Sequence, residues 1–432
     1  MNAPARSNDF ATANPHALAT ILEASQTKSI IASRDIFDIS GTKLWARDQP
    51  VSHALQRKLL DRQLRSPLES CLLAEDGVTP QSLLLCTEAL LARHTPLSAV
   101  LMPQAARMLR ELPNLPLHAV AQLMLTAGQA SRPESFDHAV QGMALAGALM
   151  AAQGGTAVEL RMAMLAGLLH DLGEMYIDPR YGEADADRTL DAQSYVQLVV
   201  HPHIGGLLLS QLTDYPAAVA RAVAEHHERL DGSGYPRALQ RDAVSPLGRL
   251  LAVVEATLGV LRSEAPELAQ ASVALRVVPG EFDLAWVGGI AAAAQVERAS
   301  HALGPSLVPE AATAPSTLDV QLRLARLDGA LRAAQYRADA LAAGAETPTL
   351  QAAIELARFL LGRLRTGWYA SGLWSADAVN DQNASEVEAI ENELFYRLHA
   401  VERAARLRAG DLSPADADRL DLLCDSLRAV SR

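Results

Sequence analysis

The sequence predicts a mainly α-helical protein. The chain is 49% hydrophobic yet only 4% aromatic, its apolar residues are chiefly Ala and Leu with few β-branched ones, and they recur at three- and four-residue intervals over long stretches. At 432 residues it exceeds what one core usually supports, so several units are expected. Residues 1–26 are rich in Ala, Ser, Asn and Pro without a sustained period and read as a loose tail. Residues 27–130 form an N-terminal module. In it SIIASRDIFDISGTKLWARDQP reads as two short strands turning at Ser40-Gly41, and His53 to Arg62 as a helix. Helical patterns follow over 66–130, cut at Pro67, Pro80, Pro96, Pro103, Pro113 and Pro116. Residues 131–303 are a chemically distinct helical domain, and 304–316, with three prolines, read as a linker. In 317–432 the series Val320, Leu324, Leu327, Leu331, Ala334, Ala338 and Leu341 leads a set of apolar stripes, and Thr347-Pro348 and Ser413-Pro414 look like helix starts. A four-helix bundle is expected there. Self-packing is the simpler reading of its stripes, and docking of a partner or a homodimer is the functional one.

A formal net charge of −12 argues against polymeric nucleic acid, which calls for clustered Lys and Arg. Cys71, Cys86 and Cys424 are scattered and odd in number, suiting buried thiols in a reducing compartment. The first residues are polar, and no run approaches the ~18 apolar residues that span a bilayer. A cytoplasmic protein without membrane contact is the expectation.

Six of the twelve histidines fall between His138 and His227. In MAMLAGLLHDLGE a helix apolar on nearly every side delivers His170 and Asp171 at its end, with Gly173 as the stop. A buried carboxylate needs a proton, hydrogen bonds or a cation. Taken alone, a His-Asp pair is more often a satisfied core pair than a ligand pair. In VVHPHIGG, His201 precedes the helix-opening Pro202 and can point inward; His203, about 200° further round, is left to the surface or to a supporting role. PAAVARAVAEHHERLDGSGYP places His226 and His227 on neighbouring helix faces, so that one can meet a first ion and the other a second ion or a substrate oxygen. Glu255 interrupts the stripe Leu247, Leu251, Val254, Leu258, which suits a carboxylate facing a cation as well as one at the stripe's edge. Glu134 and His138, four apart, share a helix face. Each residue has an ordinary explanation. Five inward histidines with two or three acids in one domain length do not.

Over residues 131–300 these motifs resemble the HD-GYP family of metal-dependent phosphohydrolases. The family's first histidine, HDxGK, HPxxG and HHExxDGxGYP correspond to His138, HDLGE at 170–174, HPHIG at 201–205 and HHERLDGSGYP at 226–236, with Glu255 where the family has a final aspartate. The resemblance implies hydrolysis of the bacterial second messenger cyclic di-GMP to pGpG or GMP by two divalent ions, iron or manganese. Asp171 would bridge the ions, and His138, His170, His201, His226, His227 and Glu255 would complete their shells. Glu134 would serve a third position, and His170, Asp171 and Glu174 would be the catalytic group. Three positions depart from the family. Glu174 replaces the lysine that meets substrate phosphate, Glu255 replaces aspartate, and the family's arginine falls near Glu264, leaving Arg262 as a displaced substitute. An anion in place of that lysine turns attraction into repulsion of roughly a few kcal/mol. The alternatives are therefore a catalytically impaired regulator that binds nucleotide or a signalling partner, and a hydrolase of another phosphoester. In related proteins the GYP loop is linked to diguanylate cyclase docking, which would make Tyr235 a contact; a turn closed by Gly232, Gly234 and Pro236 is the plainer role.

Overall fold

In the computed structural model, residues 9–181, 197–262, 266–303, 317–344, 347–371, 384–409 and 412–428 are described. Residues 1–8, the 304–316 linker and Glu264 lie outside them.

The remainder of the segment read as a tail is a folded element. Helix α1 (Pro15–Ala24) is capped by Asn14, whose side chain accepts from the amides of His16 and Ala17. Leu18, Ile21 and Leu22 are buried against α6 (Ala119–Ser131). The short polar surroundings hid a ten-residue amphipathic helix. Strands β2 (Ile36–Phe37) and β3 (Lys43–Trp45) form the expected hairpin around Ser40-Gly41, where Gly41 takes a φ of +87°. A longer-range pairing was not foreseen. β1 (Ile30–Ala32) pairs antiparallel with β4 (Leu72–Ala74), inside a stretch read as helical. A three-residue strand has too little period to declare itself.

Helix α2 (His53–Leu59) follows the hairpin, and prolines open α3 (Pro80–Leu91) and α4 (Pro96–Leu101) at the position where a missing N–H costs nothing. After α5 (Ala105–Glu111) and α6 come the helices that carry the site. They are α7 (Pro133–Ala152), α8 (Ala157–Leu169), α9 (His201–Leu212), α10 (Ala217–Val223), α11 (Pro246–Leu261), α12 (Leu268–Ala274) and α13 (Leu284–Leu303). A capping box starts α8: Thr156 accepts the Glu159 amide and Glu159 accepts the Thr156 amide, an arrangement worth about 1 kcal/mol. The helix then runs through the interior with Leu160, Ala163, Met164, Leu165, Leu168 and Leu169 buried among α5, α7, α10 and α11.

One continuous apolar core extends from Phe10 to Ala294, so the segments 27–130 and 131–303 share a single interior. A second core belongs to α14 (Thr317–Ala342), α15 (Pro348–Ser371), α16 (Ala384–Ala409) and α17 (Pro414–Arg428). There Leu324, Leu327, Leu331, Ala334 and Ala338 are buried as their spacing requires, together with Trp368, Leu394 and Leu423. Val277 and Val278 leave the first core and insert into the second. No helix among the described residues is long and apolar enough to cross a membrane.

Helices α7 and α8 approach through facing glycines. A Cβ on Gly167 would stand 2.4 Å from the Gly142 carbonyl oxygen, and one on Gly142 would stand 2.8 Å from that of Gly167. Gly167→Ala should therefore lower stability by about 1–3 kcal/mol, seen as a lower denaturant midpoint at unchanged slope. Gly259→Ala, in open space on α11, should raise it by roughly 0.5–1 kcal/mol.

Candidate metal centre

The close crossing of α7 and α8 brings His138, on the first turns of α7, beside His170, the residue that caps α8. Asp171 follows and the chain continues as a tight turn over Leu172–Tyr176, so Gly173 does not stop the helix. Its role is clearance. A Cβ there would lie 1.9 Å from the carbonyl oxygen of His201, so only glycine lets the start of α9 sit against the His-Asp turn. His201 is the first residue of α9, as its Pro202 suggested, while His203 is exposed. His226 and His227 are not on a helix: α10 ends at Val223 and the pair stands in the following turn. Glu255 projects from the buried side of α11.

These residues meet around one carboxylate. Asp171 Oδ2 lies 3.2 Å from Nε2 of both His138 and His170. Asp171 Oδ1 lies 3.3 Å from His226 Nε2 and 3.5 Å from His201 Nε2. Glu255 Oε2 joins the first group at 3.0 Å from His138 Nε2 and 3.2 Å from His170 Nε2. Two four-residue clusters result among the described residues, His138/His170/Asp171/Glu255 and Asp171/His201/His226/His227. Both histidines of the pair fall in the second cluster, because a turn, unlike a helix, lets adjacent rings lean to the same side; their ring centroids are 4.1 Å apart.

The tautomers can be assigned. Nδ1 of His170, His201 and His226 faces a backbone carbonyl, of Gly167 at 2.8 Å, Leu198 at 2.7 Å and Val223 at 2.6 Å. A carbonyl only accepts, so Nδ1 carries the proton and Nε2 turns a lone pair inward. His201 Nε2 and His226 Nε2 are then lone pairs 3.1 Å apart, as are His138 Nε2 and His170 Nε2 if His138 shares the tautomer. That separation repels unless a cation or proton lies between, and it is the spacing of two nitrogens each about 2.1 Å from one ion. Asp171 Oδ1 is buried without a hydrogen bond among the described residues. The donor set fits a pair of divalent cations.

Electrostatics divide the clusters. Burial opposes charge on His138 and His170, but Glu255 and Asp171 outweigh it and raise both, His170 far above the ordinary histidine range. Burial likewise opposes the charge of Asp171 and Glu255, and the surrounding histidines overcome it, holding both well below the carboxylate range. In the second cluster burial wins. With His227 beside it His226 is pushed down to about 3, and burial with His201 depresses His227 strongly.

Other expected site residues stand at the rim. Glu134 is exposed and belongs to neither cluster; it stands on the first turn of α7, one turn before His138. Glu174 is buried but stands apart from the two clusters. With Glu134, Asp137, Gln141 and Arg262 it lines a cavity of about 220 Å³ that opens onto His138 and Asp171. Arg262 caps α11 with its guanidinium 3.8 Å from Glu255 Oε1. Tyr235 stacks on His227 at 4.5 Å and 16°. Two acids escaped the sequence reading. Glu228, wholly buried, accepts the amides of Arg237 and Leu239, and Glu225 accepts that of Ser245 together with Arg221 and Arg237. They pin the loop after the histidine pair, and the signal for Glu228 was its place directly after two histidines.

Residues 129–276 match the family model described as HD domain. This segment is an HD domain. The chain is 36% identical over 97 residues to a cyclic di-GMP phosphodiesterase of Pseudomonas aeruginosa, covering 22% of this chain and 23% of that one. It is 30% identical over 138 residues to 3'3'-cGAMP-specific phosphodiesterase 1 of Vibrio cholerae, covering 32% and 31%. A cyclic di-GMP phosphodiesterase response regulator of Xanthomonas campestris is 35% identical over 98 residues, covering 22% and 25%. The chain thus spans under a third of the length of these curated relatives. Among solved structures, an HDG"Y"P protein from Bdellovibrio bacteriovorus aligns with 15% identity and a TM-score of 0.35, over 64% of this chain and 97% of that one. The HD-GYP resemblance read from the motifs stands.

The two clusters should leave opposite marks on the metal-free protein. Between the unfolded value of 6.5 and about 3, the unfolded chain binds a proton that folded His226 refuses, so stability falls as pH drops below 6.5. His170, raised in the fold, contributes stability below 6.5 that is lost as pH climbs through its folded value. Denaturation of metal-free protein from pH 5 to 9 should show His226→Gln flattening the acid limb and His170→Gln flattening the alkaline limb. Parallel profiles for all three proteins would contradict the assignment.

Proposed function

We propose that this protein is a metal-dependent phosphodiesterase of cyclic dinucleotides that cleaves cyclic di-GMP to pGpG or GMP in bacterial signalling. The division of Asp171 between two histidine clusters carries the reading. A carboxylate that offers one oxygen to each of two adjoining nitrogen-rich clusters suits a pair of cations, which is the equipment phosphodiester hydrolysis uses. Iron or manganese bound there supplies Lewis acidity toward the phosphoryl oxygens and draws a nucleophile from water.

His138, His170 and Glu255 would hold one ion, and His201, His226 and His227 the other. The three backbone carbonyls fix the rings so that each Nε2 is already aimed, which removes a reorganisation cost from binding. Substrate would reach the clusters through the cavity that opens on His138 and Asp171. Arg262, at its wall, would take a phosphate, and Tyr235 would steady His227 by stacking and present its hydroxyl beside the second cluster. The cGAMP phosphodiesterases among the relatives make a hybrid cyclic dinucleotide the next substrate to try.

A second reading is favoured by one observation. Glu134, Asp137 and Glu174 outnumber Arg262 in the cavity lining, so a polyanion meets an acidic wall. A regulator that binds metal but acts through a partner would tolerate that wall. Manganese- or iron-loaded protein should turn over cyclic di-GMP, and Asp171→Asn should lower kcat/KM by about a thousandfold or more. Glu174→Lys should lower KM by about tenfold through a restored attraction. Two bound metal equivalents with no turnover of cyclic di-GMP or 3'3'-cGAMP would instead select the regulator.

A further inference from the structure

Beyond residue 276, where the HD-domain match ends, the C-terminal bundle reaches back to the segment that carries the histidine pair. Arg397 of α16 is ion-paired with Glu281, whose side chain is 2% exposed, and also donates to the carbonyl of Ala274. Arg229 meets the same Glu281 oxygen, Oε1, at 3.6 Å. The guanidinium of Arg229 in turn donates to the carbonyls of His226 and Glu228, at 3.4 and 3.1 Å, while the backbone of Glu281 accepts the Leu230 amide. Arg397 is therefore two side chains away from the backbone of His226.

A second contact runs beside it. Arg363 of α15 donates to Asp231 Oδ2 at 3.2 Å and to the Pro279 carbonyl. Asp231, whose side chain is 5% exposed, uses Oδ1 to hold the amide and hydroxyl of Ser233. That turn brings Tyr235 back so that its amide reaches the His227 carbonyl and its ring covers the imidazole. The bundle is seated closely enough for this: a Cβ on Gly367 would lie 2.1 Å from the Val277 carbonyl oxygen.

We propose that Arg363 and Arg397 are positioning residues for His226 and His227, acting through Asp231 and through the Glu281–Arg229 pair, and that the C-terminal bundle thereby sets the metal affinity of the three-histidine cluster. Removing either arginine takes a cation from a buried carboxylate, Arg363 from Asp231 and Arg397 from Glu281, and the loop relieves the loss by moving toward water. Among the described residues no ion pair or hydrogen bond joins the bundle to the His138/His170/Glu255 side of the centre, which is expected to stay as it is. The metal part of this inference rests on the proposed metal centre, and the loop part does not.

The full-length double variant Arg363→Gln/Arg397→Gln decides between outcomes when amide exchange and Mn²⁺ titration are read together. The expected result is exchange about tenfold faster over residues 226–241, unchanged exchange over α8, and one of two Mn²⁺ equivalents bound about tenfold more weakly. The Arg363→Lys/Arg397→Lys protein should recover part of both, and Arg332→Gln on the outer face of α14 should change neither. Unchanged exchange over 226–241 overturns the positioning role. If α14–α17 as a whole lose protection in the glutamine protein, the lysine protein decides by the same exchange readout. A wild-type chain that takes up no Mn²⁺ overturns the metal reading and leaves the exchange result to decide the loop.

Discussion

Much of the middle of this protein is arranged to hold one carboxylate in an apolar interior. Asp171 survives there because each of its oxygens faces a different pair of imidazoles. That placement makes demands on elements far apart in sequence. α7 and α8 must cross at glycine distance, α8 must end one residue before His170, and α9 must start against Gly173. Three backbone carbonyls must then lock the imidazole tautomers. An aspartate in such surroundings without these partners would cost several kcal/mol, roughly, which is a large part of a domain's net stability.

The sharing is unequal, and the inequality has chemical content. Glu255 gives the first cluster a second carboxylate, so its histidines compete for protons strongly. The second cluster has three imidazoles for the one shared carboxylate and keeps His226 and His227 neutral. Harder ions favour oxygen donors and borderline ions favour imidazole, so two neighbouring positions built by one chain need not rank metals alike.

The sequence disclosed the site better than its surroundings. His138, His170, Asp171, His201, His226, His227 and Glu255 could be picked out because polar residues in apolar patterns demand partners. Asp171 as the bridging residue came from the family resemblance. The secondary-structure context was less legible: His226 and His227 lie in a turn, since seven residues of α10 ending at Val223 look the same in sequence as a helix continuing past them. Gly142 and Gly167 gave no signal, since a glycine needed for contact between two helices is indistinguishable from one that is merely tolerated. Gly173 was noticed for the wrong reason, because the His201 carbonyl that requires it is distant in sequence. Helix α1 and strand β4 were missed through shortness, as both are defined by the partners they pack on. The bundle helices, long and strongly periodic, were plain.

The unbroken core from Phe10 to Ala294 has a mechanical meaning. An input module tethered by a hinge can report by swinging, leaving the catalytic body unchanged until it arrives. Here the N-terminal strands and helices share their interior with the HD domain, and Asn14 at the head of α1 bonds the Tyr176 carbonyl, five residues beyond Asp171. Whatever alters the N-terminal surface is felt as a change in packing throughout a single solid body, so the N-terminal strands and the histidine clusters are two faces of one object.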